Sequence, residues 1–136
     1  MTTDALDAAT LRRLTLEFTE KFNANDLDGM MAFFAEDAVY YQHDGELAKG
    51  IAAIRAAFEP QFEGAFGKMA FIQDDLFVDA ETGKTMVSWL CTLETKRGAA
   101  GWRGLDLLHF DADGKIVAKL TYGKAKALRL DTVAAT

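Results

Sequence analysis

The carboxyl group best placed for chemistry is that of Asp106, in the segment GWRGLDLLHFDADGK over residues 101–115. If this segment is a strand, alternate residues line opposite faces of a sheet, and Asp106 shares its face with Trp102, Leu108 and Phe110. Burial in such an apolar site disfavours the charged carboxylate and is expected to raise the pKa of Asp106. Because a carboxylic acid donates a hydrogen bond to a carbonyl or enolate and a carboxylate accepts a proton, Asp106 is a candidate acid or base for isomerisation, cyclisation or hydration.

A purely structural role is the alternative for Asp106. Buried polar groups normally have hydrogen-bond partners, and the candidate donors to this carboxylate are Trp89, Trp102, Tyr40 and Tyr122. A catalytic Asp106 must instead face an open cavity, with a second polar group within reach of a ligand that touches it. The sequence leaves both roles open.

The composition is that of an ordinary globular protein, and it excludes several classes of function. A chain of 136 residues suggests one domain over residues 1–136, and the net charge of −6 disfavours nucleic acid as a partner. No basic leader and no apolar run near the ~20 residues of a membrane span are present, so we expect a cytoplasmic protein without membrane contact. The single Cys91 and the two histidines, His43 and His109, argue against a disulfide framework and against a metal site, although a mixed His and carboxylate site stays open. We expect no cofactor.

The periodicity of apolar residues predicts the elements that position Asp106. Helical spacing predicts three helices, within residues 7–26, 26–37 and 51–64, and the NAND stretch over residues 23–26 is expected to break the first of them. Asp7 or Thr10 is expected to cap the first helix and Asp26 the second, and Pro60 is expected to end or kink the third.

A period of two predicts strands in the remainder of the chain. They are expected over residues 38–43, 68–80, 85–96, 102–110 and 115–126, with loops over residues 44–50 and 97–101. A bulge is expected near Asp74 and Asp75. Helices followed by four consecutive strands on short links favour an α+β fold with an antiparallel meander.

Three segments carry a resemblance to a known family. They are NDLDGMMAFFAEDAVYY, Gly50 with the IAAIRAAF that follows it, and LDLLHFDADGKIVAKLTY. The chain resembles the NTF2-like superfamily over nearly its whole length, in particular the SnoaL-like and ketosteroid-isomerase-like members. The resemblance implies a cystatin-like cone, in which three N-terminal helices pack in a curved antiparallel β-sheet, with an apolar cavity at its open end.

The resemblance also implies a set of cavity residues around Asp106. Trp89 and Trp102 would form walls, Gly104 would leave room for a ligand, and Cys91 would be an inert buried thiol. The other expected ligand-binding residues are Tyr40, Gln42, Phe18 and Tyr122. His43, beside Asp44, is either a proton shuttle at the cavity rim or an exposed loop histidine.

The family's catalytic machinery is incomplete in this chain. Asp106 matches the aspartate donor of the ketosteroid isomerases, but Phe18 stands at the position of their tyrosine donor and Gln42 at that of their general base. This disfavours the steroid isomerase mechanism. The epoxide-hydrolase branch uses an arginine in its cavity, whereas Arg103 is expected on the opposite face of the sheet.

The sequence is compatible with two functions. One is a cofactor-independent isomerase, cyclase or hydratase that acts on a small, mostly hydrophobic carbonyl compound, with Asp106 as acid or base. The other is a non-catalytic binding or interaction domain with the same cavity. The resemblance further implies a homodimer through the convex sheet face, where Glu94 could also pair with Arg103. That face carries Leu90, Arg103, Leu105, Leu107 and His109.

Overall fold

The computed structural model describes residues 6–65 and 67–124. In this part of the chain, three helices and six strands follow one another. They are α1 (Ala8–Asn23), α2 (Leu27–Met31), β1 (Phe34–Tyr41), β2 (Leu47–Lys49), α3 (Ile51–Phe62), β3 (Lys68–Asp79), β4 (Lys84–Thr95), β5 (Gly98–Phe110) and β6 (Ile116–Gly123). The end of the predicted last strand, residues 125–126, lies outside the described residues.

The first two helices begin at the predicted aspartates. The Asp7 carboxylate accepts a hydrogen bond from the backbone N–H of Thr10 at 2.8 Å, and the Asp26 carboxylate accepts one from that of Gly29 at 2.9 Å. The second helix is shorter than predicted, because β1 already begins at Phe34. Pro60 does not end α3, which continues to Phe62. Pro60 lies in the last turn and removes one backbone hydrogen bond, while the Glu63 N–H still donates to the Glu59 carbonyl oxygen and closes the turn.

The sheet is mixed rather than antiparallel, which corrects the expected fold. Its strand order is β2-β1-β6-β5-β4-β3, and β1 pairs with β6 in parallel while all other neighbours are antiparallel. The predicted meander of β3 to β6 is confirmed. The direction of β1 relative to β6 was not predicted because no short link joins these two strands. A short link makes two paired strands antiparallel, whereas a long crossover does not. As the sequence predicted, the second and third helices are separated by strand, and the structure places both β1 and the short β2 there.

Two segments expected to be loops form strand. Residues Leu47–Lys49 pair with β1. The GAAG stretch extends β5, whose Gly98 lies opposite Thr95 of β4. Glycine and alanine have low strand propensity, but the pairing with β4 provides backbone hydrogen bonds to this segment. Strand propensity does not take such pairing into account.

Irregularities in pairing occur at two places that matter for the site. The register of β3 against β4 shifts between Gln73 and Leu76, where a bulge was predicted. The register of β5 against β6 shifts as well: Phe110 lies opposite Ile116, whereas His109 lies opposite Ala118. One extra residue of β6, Val117, is therefore accommodated there, and such an extra residue reverses the faces to which later side chains point.

The core lies between the helices and one face of the sheet, here called the inner face. Its largest cluster joins aromatic and aliphatic side chains of all three helices to β1, β5 and β6, and a smaller cluster is centred on Val87, Trp89 and Cys91 of β4. None of the helices in the described part of the chain is long and apolar enough to cross a membrane.

The opposite face, here called the outer face, carries Arg103 as predicted, but with a different partner. Arg103 forms an ion pair with Asp74 of β3, and Glu94 lies opposite Ala99 instead. The expected Glu94–Arg103 pair is therefore wrong, because the register places Leu90 opposite Arg103.

Candidate functional site

A pocket of about 350 Å³ lies between the helices and the inner face of the sheet. Exposed His43 and Asp44, after β1, mark where it meets solvent. Its wall is formed by Thr19, Phe22, Tyr40, Gln42, His43, Asp44, Ala57, Phe58, Gln61, Met69, Phe71, Trp89, Leu93, Trp102, Asp106, Lys119 and Thr121. The wall is mostly aromatic and aliphatic, with a few polar groups, which is the usual make-up of a small-molecule site.

Asp106 is the centre of a buried polar network in this wall. Its Oδ1 atom accepts hydrogen bonds from the Lys119 ammonium at 2.8 Å and from the Thr121 hydroxyl at 2.6 Å. Its Oδ2 atom accepts one from the Trp89 indole N–H at 3.1 Å. A carboxylate offers about four acceptor positions, so one position on Oδ2 remains for a further donor.

Lys119 forms the other half of a buried ion pair. The side chains of Lys119 and Asp106 are only 4% and 10% exposed. The Lys119 ammonium also donates to the Thr121 hydroxyl at 2.6 Å and lies 4.5 Å from the centre of the Tyr40 ring, with Phe58 slightly farther away. Aromatic faces attract such a cation. The ammonium is therefore surrounded by one carboxylate, one hydroxyl and the aromatic wall.

Opposing effects act on the pKa of Lys119. Burial lowers this pKa, but the negative charge of Asp106, its hydrogen bond to the ammonium and the interaction with Tyr40 together outweigh burial and raise it. Lys119 is therefore an ammonium at neutral pH. It can stabilise developing negative charge, but it is not the free amine that a covalent mechanism through lysine requires.

Two glycines allow the tryptophans to lie against the sheet. Gly104 lies opposite both Trp89 and Gly123 in the ladder. A Cβ atom on Gly104 would come within 2.6 Å of the Trp89 ring, and one on Gly123 within 2.5 Å of the Trp102 ring. The space beside Gly104 is therefore filled by Trp89, and the expectation that it is left for a ligand is wrong.

A family model described as SnoaL-like domain matches residues 15–119, which is most of the chain. The chain belongs to the SnoaL-like domain family. Asp106 and Lys119 both lie inside the matched region. No curated protein sequence matches the chain significantly.

Several solved structures share the fold of this SnoaL-like domain. A protein of unknown function with a cystatin-like fold from Methylobium petroleophilum PM1 is 23% identical, with a TM-score of 0.75 over 97% of this chain and 86% of that one. SalBIII, an epoxide hydrolase/cyclase-like enzyme in pyran ring formation in the polyether salinomycin, is 18% identical, with a TM-score of 0.77 over 87% and 93%. A putative polyketide cyclase from Xanthomonas campestris pv. campestris is 21% identical, with a TM-score of 0.71 over 84% and 90%. At these identities the likeness establishes the cystatin-like fold alone.

The SnoaL-like domain brings most of the predicted site residues together. Trp89, Trp102, Tyr40 and Gln42 line the pocket with Asp106, and the His43 ring lies 5.1 Å from that of Trp102 at the mouth.

Two predicted site residues lie elsewhere in the SnoaL-like domain. Phe18 is 1% exposed and packs against Phe22, Phe33 and Phe34 beneath the pocket wall rather than in it. Tyr122 is 54% exposed on the outer face, because its neighbour Thr121 points inward.

Lys119 is the site residue that the sequence did not reveal. In KIVAKLTYG, the apolar Ile116, Ala118 and Leu120 alternate with Lys119, which suggests that the lysine points to solvent. The extra residue at Val117 overturns that alternation, so that Ile116 and Lys119 both point inward. The available signal was that the expected donors to Asp106 were all uncharged, although a buried carboxylate is costly without a cationic partner.

Cys91 points inward between Trp89 and Leu93 and is fully buried. Burial raises the pKa of its thiol to about 11. A thiol with such a pKa is protonated at neutral pH and is a poor nucleophile. In the described residues, no group of three or more His, Cys, Asp and Glu side chains could hold a metal ion.

The raised pKa of Lys119 leads to a prediction about alkaline stability. A group whose pKa is higher in the folded state contributes its full stabilisation below its unfolded pKa, about 10.4 for lysine, and loses it as the pH rises through the folded pKa. The free energy of unfolding should therefore fall more steeply above about pH 10 in the wild type than in the double variant Asp106→Leu/Lys119→Met. Urea unfolding from pH 8 to 11 measures the difference, and parallel curves would contradict it.

Proposed function

We propose that this SnoaL-like domain binds a small, mostly hydrophobic carbonyl compound in its pocket and catalyses proton transfer at the carbon next to the carbonyl, as an isomerase or cyclase does. The observation that carries the proposal is the Asp106–Lys119 ion pair in the wall of an aromatic pocket. Replacing such a pair by packed apolar side chains is often neutral or stabilising, so stability alone does not account for it. Ionisable groups buried beside a pocket are typical of functional sites.

In the proposed reaction, the two charges take different roles. Asp106 Oδ2 accepts the proton at its free position as the C–H bond next to the carbonyl breaks. The electron pair of that C–H bond forms a carbon–carbon double bond, and the electron pair of the carbonyl double bond moves onto the oxygen to give an enolate. The Lys119 ammonium stabilises the negative charge that develops on this oxygen. Tyr40 and Gln42, both in the pocket wall, orient the substrate. Return of the proton to another carbon completes an isomerisation.

Deuterium exchange into 2-tetralone, a two-ring ketone with acidic C–H groups beside its carbonyl, tests this proposal. The wild-type protein in D₂O should accelerate the exchange, and Asp106→Asn should reduce the acceleration by about a hundredfold, the lower end for a general base. Asp75→Asn, an exposed carboxylate on β3, is the control and should leave the rate unchanged. Equal rates for wild type and Asp106→Asn would exclude Asp106 from proton transfer.

The non-catalytic alternative has an observation in its favour. Three hydrogen bonds already hold Asp106, and no buried side-chain nitrogen or oxygen among the described residues lacks a partner. A network of this kind also suits a binding protein that takes up a hydrophobic molecule without transforming it. Binding of 2-tetralone without accelerated exchange supports this alternative.

We also propose that the protein is a homodimer joined through its outer sheet face. Large apolar side chains from successive strands share that face, and two of them, Phe77 and Tyr122, are 65% and 54% exposed. Adjacent on it are Ile72, Leu90, Met86, Leu105, Leu107 and Leu120. A large apolar face of this kind, interrupted by the Arg103–Asp74 ion pair, is typical of an interface.

Light scattering coupled to size-exclusion chromatography measures the oligomeric state. At micromolar concentration the wild type should elute with twice the chain mass, and Leu105→Glu should elute as a monomer. Leu16→Glu, at a half-exposed leucine of α1, is the matched control and should remain dimeric. A monomeric wild type would contradict the proposal.

A further inference from the structure

The two charges buried in the pocket wall compensate each other. The Lys119 ammonium lies 2.8 Å from the Asp106 carboxylate, and both side chains are at least nine-tenths buried. The Asp44 carboxylate lies at the exposed mouth, where solvent and salt screen it. Deep in the pocket, a ligand therefore meets a wall with no net charge.

A charged ligand has to disrupt this pair. A ligand carboxylate competes with Asp106 for Lys119, and a ligand ammonium competes with Lys119 for Asp106. In either case one protein charge is left buried without its partner, which is strongly unfavourable. The ion pair therefore disfavours the binding of both anionic and cationic ligands, although the pair itself contains one charge of each sign.

The aromatic side chains favour a flat ligand. The rings of Tyr40 and Phe58 are stacked with centres 4.7 Å apart and nearly parallel. Trp89 contacts Trp102 edge to face, at 5.0 Å between centres and 85° between planes. A planar conjugated molecule extends such stacked and edge-to-face contacts, which stabilise aromatic pairs beyond the area that they bury.

The volume limits the size of the ligand. An apolar cavity of about 150 Å³ accommodates one benzene ring. The pocket, at about 350 Å³, is roughly twice that size, so it suits about two fused rings. The free acceptor position on Asp106 Oδ2 then suits a hydroxyl group that donates to it.

We infer that the pocket selects a neutral, planar molecule of about two fused rings that carries a hydroxyl or an enolisable carbonyl group, and that the Asp106–Lys119 pair excludes carboxylates and amines of the same shape. The inference rests on the proposed function, because it names the class of compound that the same pocket takes. It assigns to Lys119 a role in specificity.

Isothermal titration calorimetry of the full chain at pH 7 with three probes of one shape tests the inference. The probes are 2-naphthol, 2-naphthoate and 2-naphthylmethylamine, which are neutral, anionic and cationic. We expect 2-naphthol to bind the wild type at least tenfold more tightly than either charged probe. A wild type that binds 2-naphthoate or 2-naphthylmethylamine as tightly as 2-naphthol overturns the inference and leaves the proposed function standing.

Variants of the pair should change the preference in opposite directions. Asp106→Asn leaves the ammonium without its carboxylate and should improve 2-naphthoate binding at least tenfold. Lys119→Met leaves the carboxylate unpaired and should improve 2-naphthylmethylamine binding to a similar degree. The double variant Asp106→Asn/Lys119→Met should again prefer 2-naphthol. Single variants that keep the wild-type preference contradict the role given to the pair.

Circular dichroism identifies a single variant that does not fold. Even then, the ranking of the three probes in the folded wild type decides whether the pocket selects neutral over charged ligands. If none of the probes and no 2-tetralone binds, the proposed binding function fails, and the inference fails with it.

Discussion

Replacing Lys119 by methionine should destabilise the protein by about 3–5 kcal/mol, the usual effect of removing one partner of a buried ion pair. Methionine retains the length of the side chain and its contacts with Tyr40 and Phe58, but it leaves the Asp106 carboxylate buried with only Trp89 and Thr121 as donors. Urea unfolding followed by far-ultraviolet circular dichroism measures the loss, because this signal does not depend on the two tryptophans in the pocket wall.

Two further variants separate the ion pair from a general effect of the substitution. Lys49→Met, at an exposed lysine of β2, should change the free energy of unfolding by less than about 0.5 kcal/mol. Asp106→Leu/Lys119→Met removes both charges and should recover most of the stability that Lys119→Met loses. If Lys119→Met costs less than about 1 kcal/mol, the pair is not buried as the structure indicates.

Replacing Gly104 by alanine should destabilise the protein by about 3 kcal/mol, at the upper end of the usual range for overpacking. The added methyl group would lie 2.5 Å from the backbone oxygen of Tyr122 and 2.6 Å from the Trp89 ring. Because the backbone cannot give way easily, we expect the ring to move and its hydrogen bond to Asp106 to weaken. Urea unfolding reports the stability, and the tryptophan fluorescence spectrum reports the displacement.

Gly101 provides the matched control on the same strand. A Cβ atom there would come no closer than 3.0 Å to a neighbouring atom, the Cys91 backbone oxygen. Gly101→Ala should therefore lower the free energy of unfolding by less than about 1 kcal/mol. Equal effects of the two substitutions would show that strand glycines in general, rather than the Trp89 contact, account for the loss.

Local patterns were sufficient for much of the fold. The caps at Asp7 and Asp26, the meander of β3 to β6 and the bulge after Gln73 are each governed by neighbours in the chain or by the adjacent strand. The parallel pairing of β1 with β6 was missed because it joins segments separated by most of the chain. Contacts at such separation leave no periodic signal.

The sequence by itself determined that Asp106 shares one face of its strand with Trp102, because alternation along β5 is uninterrupted there, and the family resemblance predicted that this face is the inner one and includes Trp89. Only the tertiary structure decided what faces the carboxylate. One extra residue in β6 reverses the alternation, so that Lys119 points into the pocket and completes the ion pair. A one-residue shift of register exchanges the two faces of a strand, and it depends on how β6 pairs with β5 rather than on the residues of β6 alone.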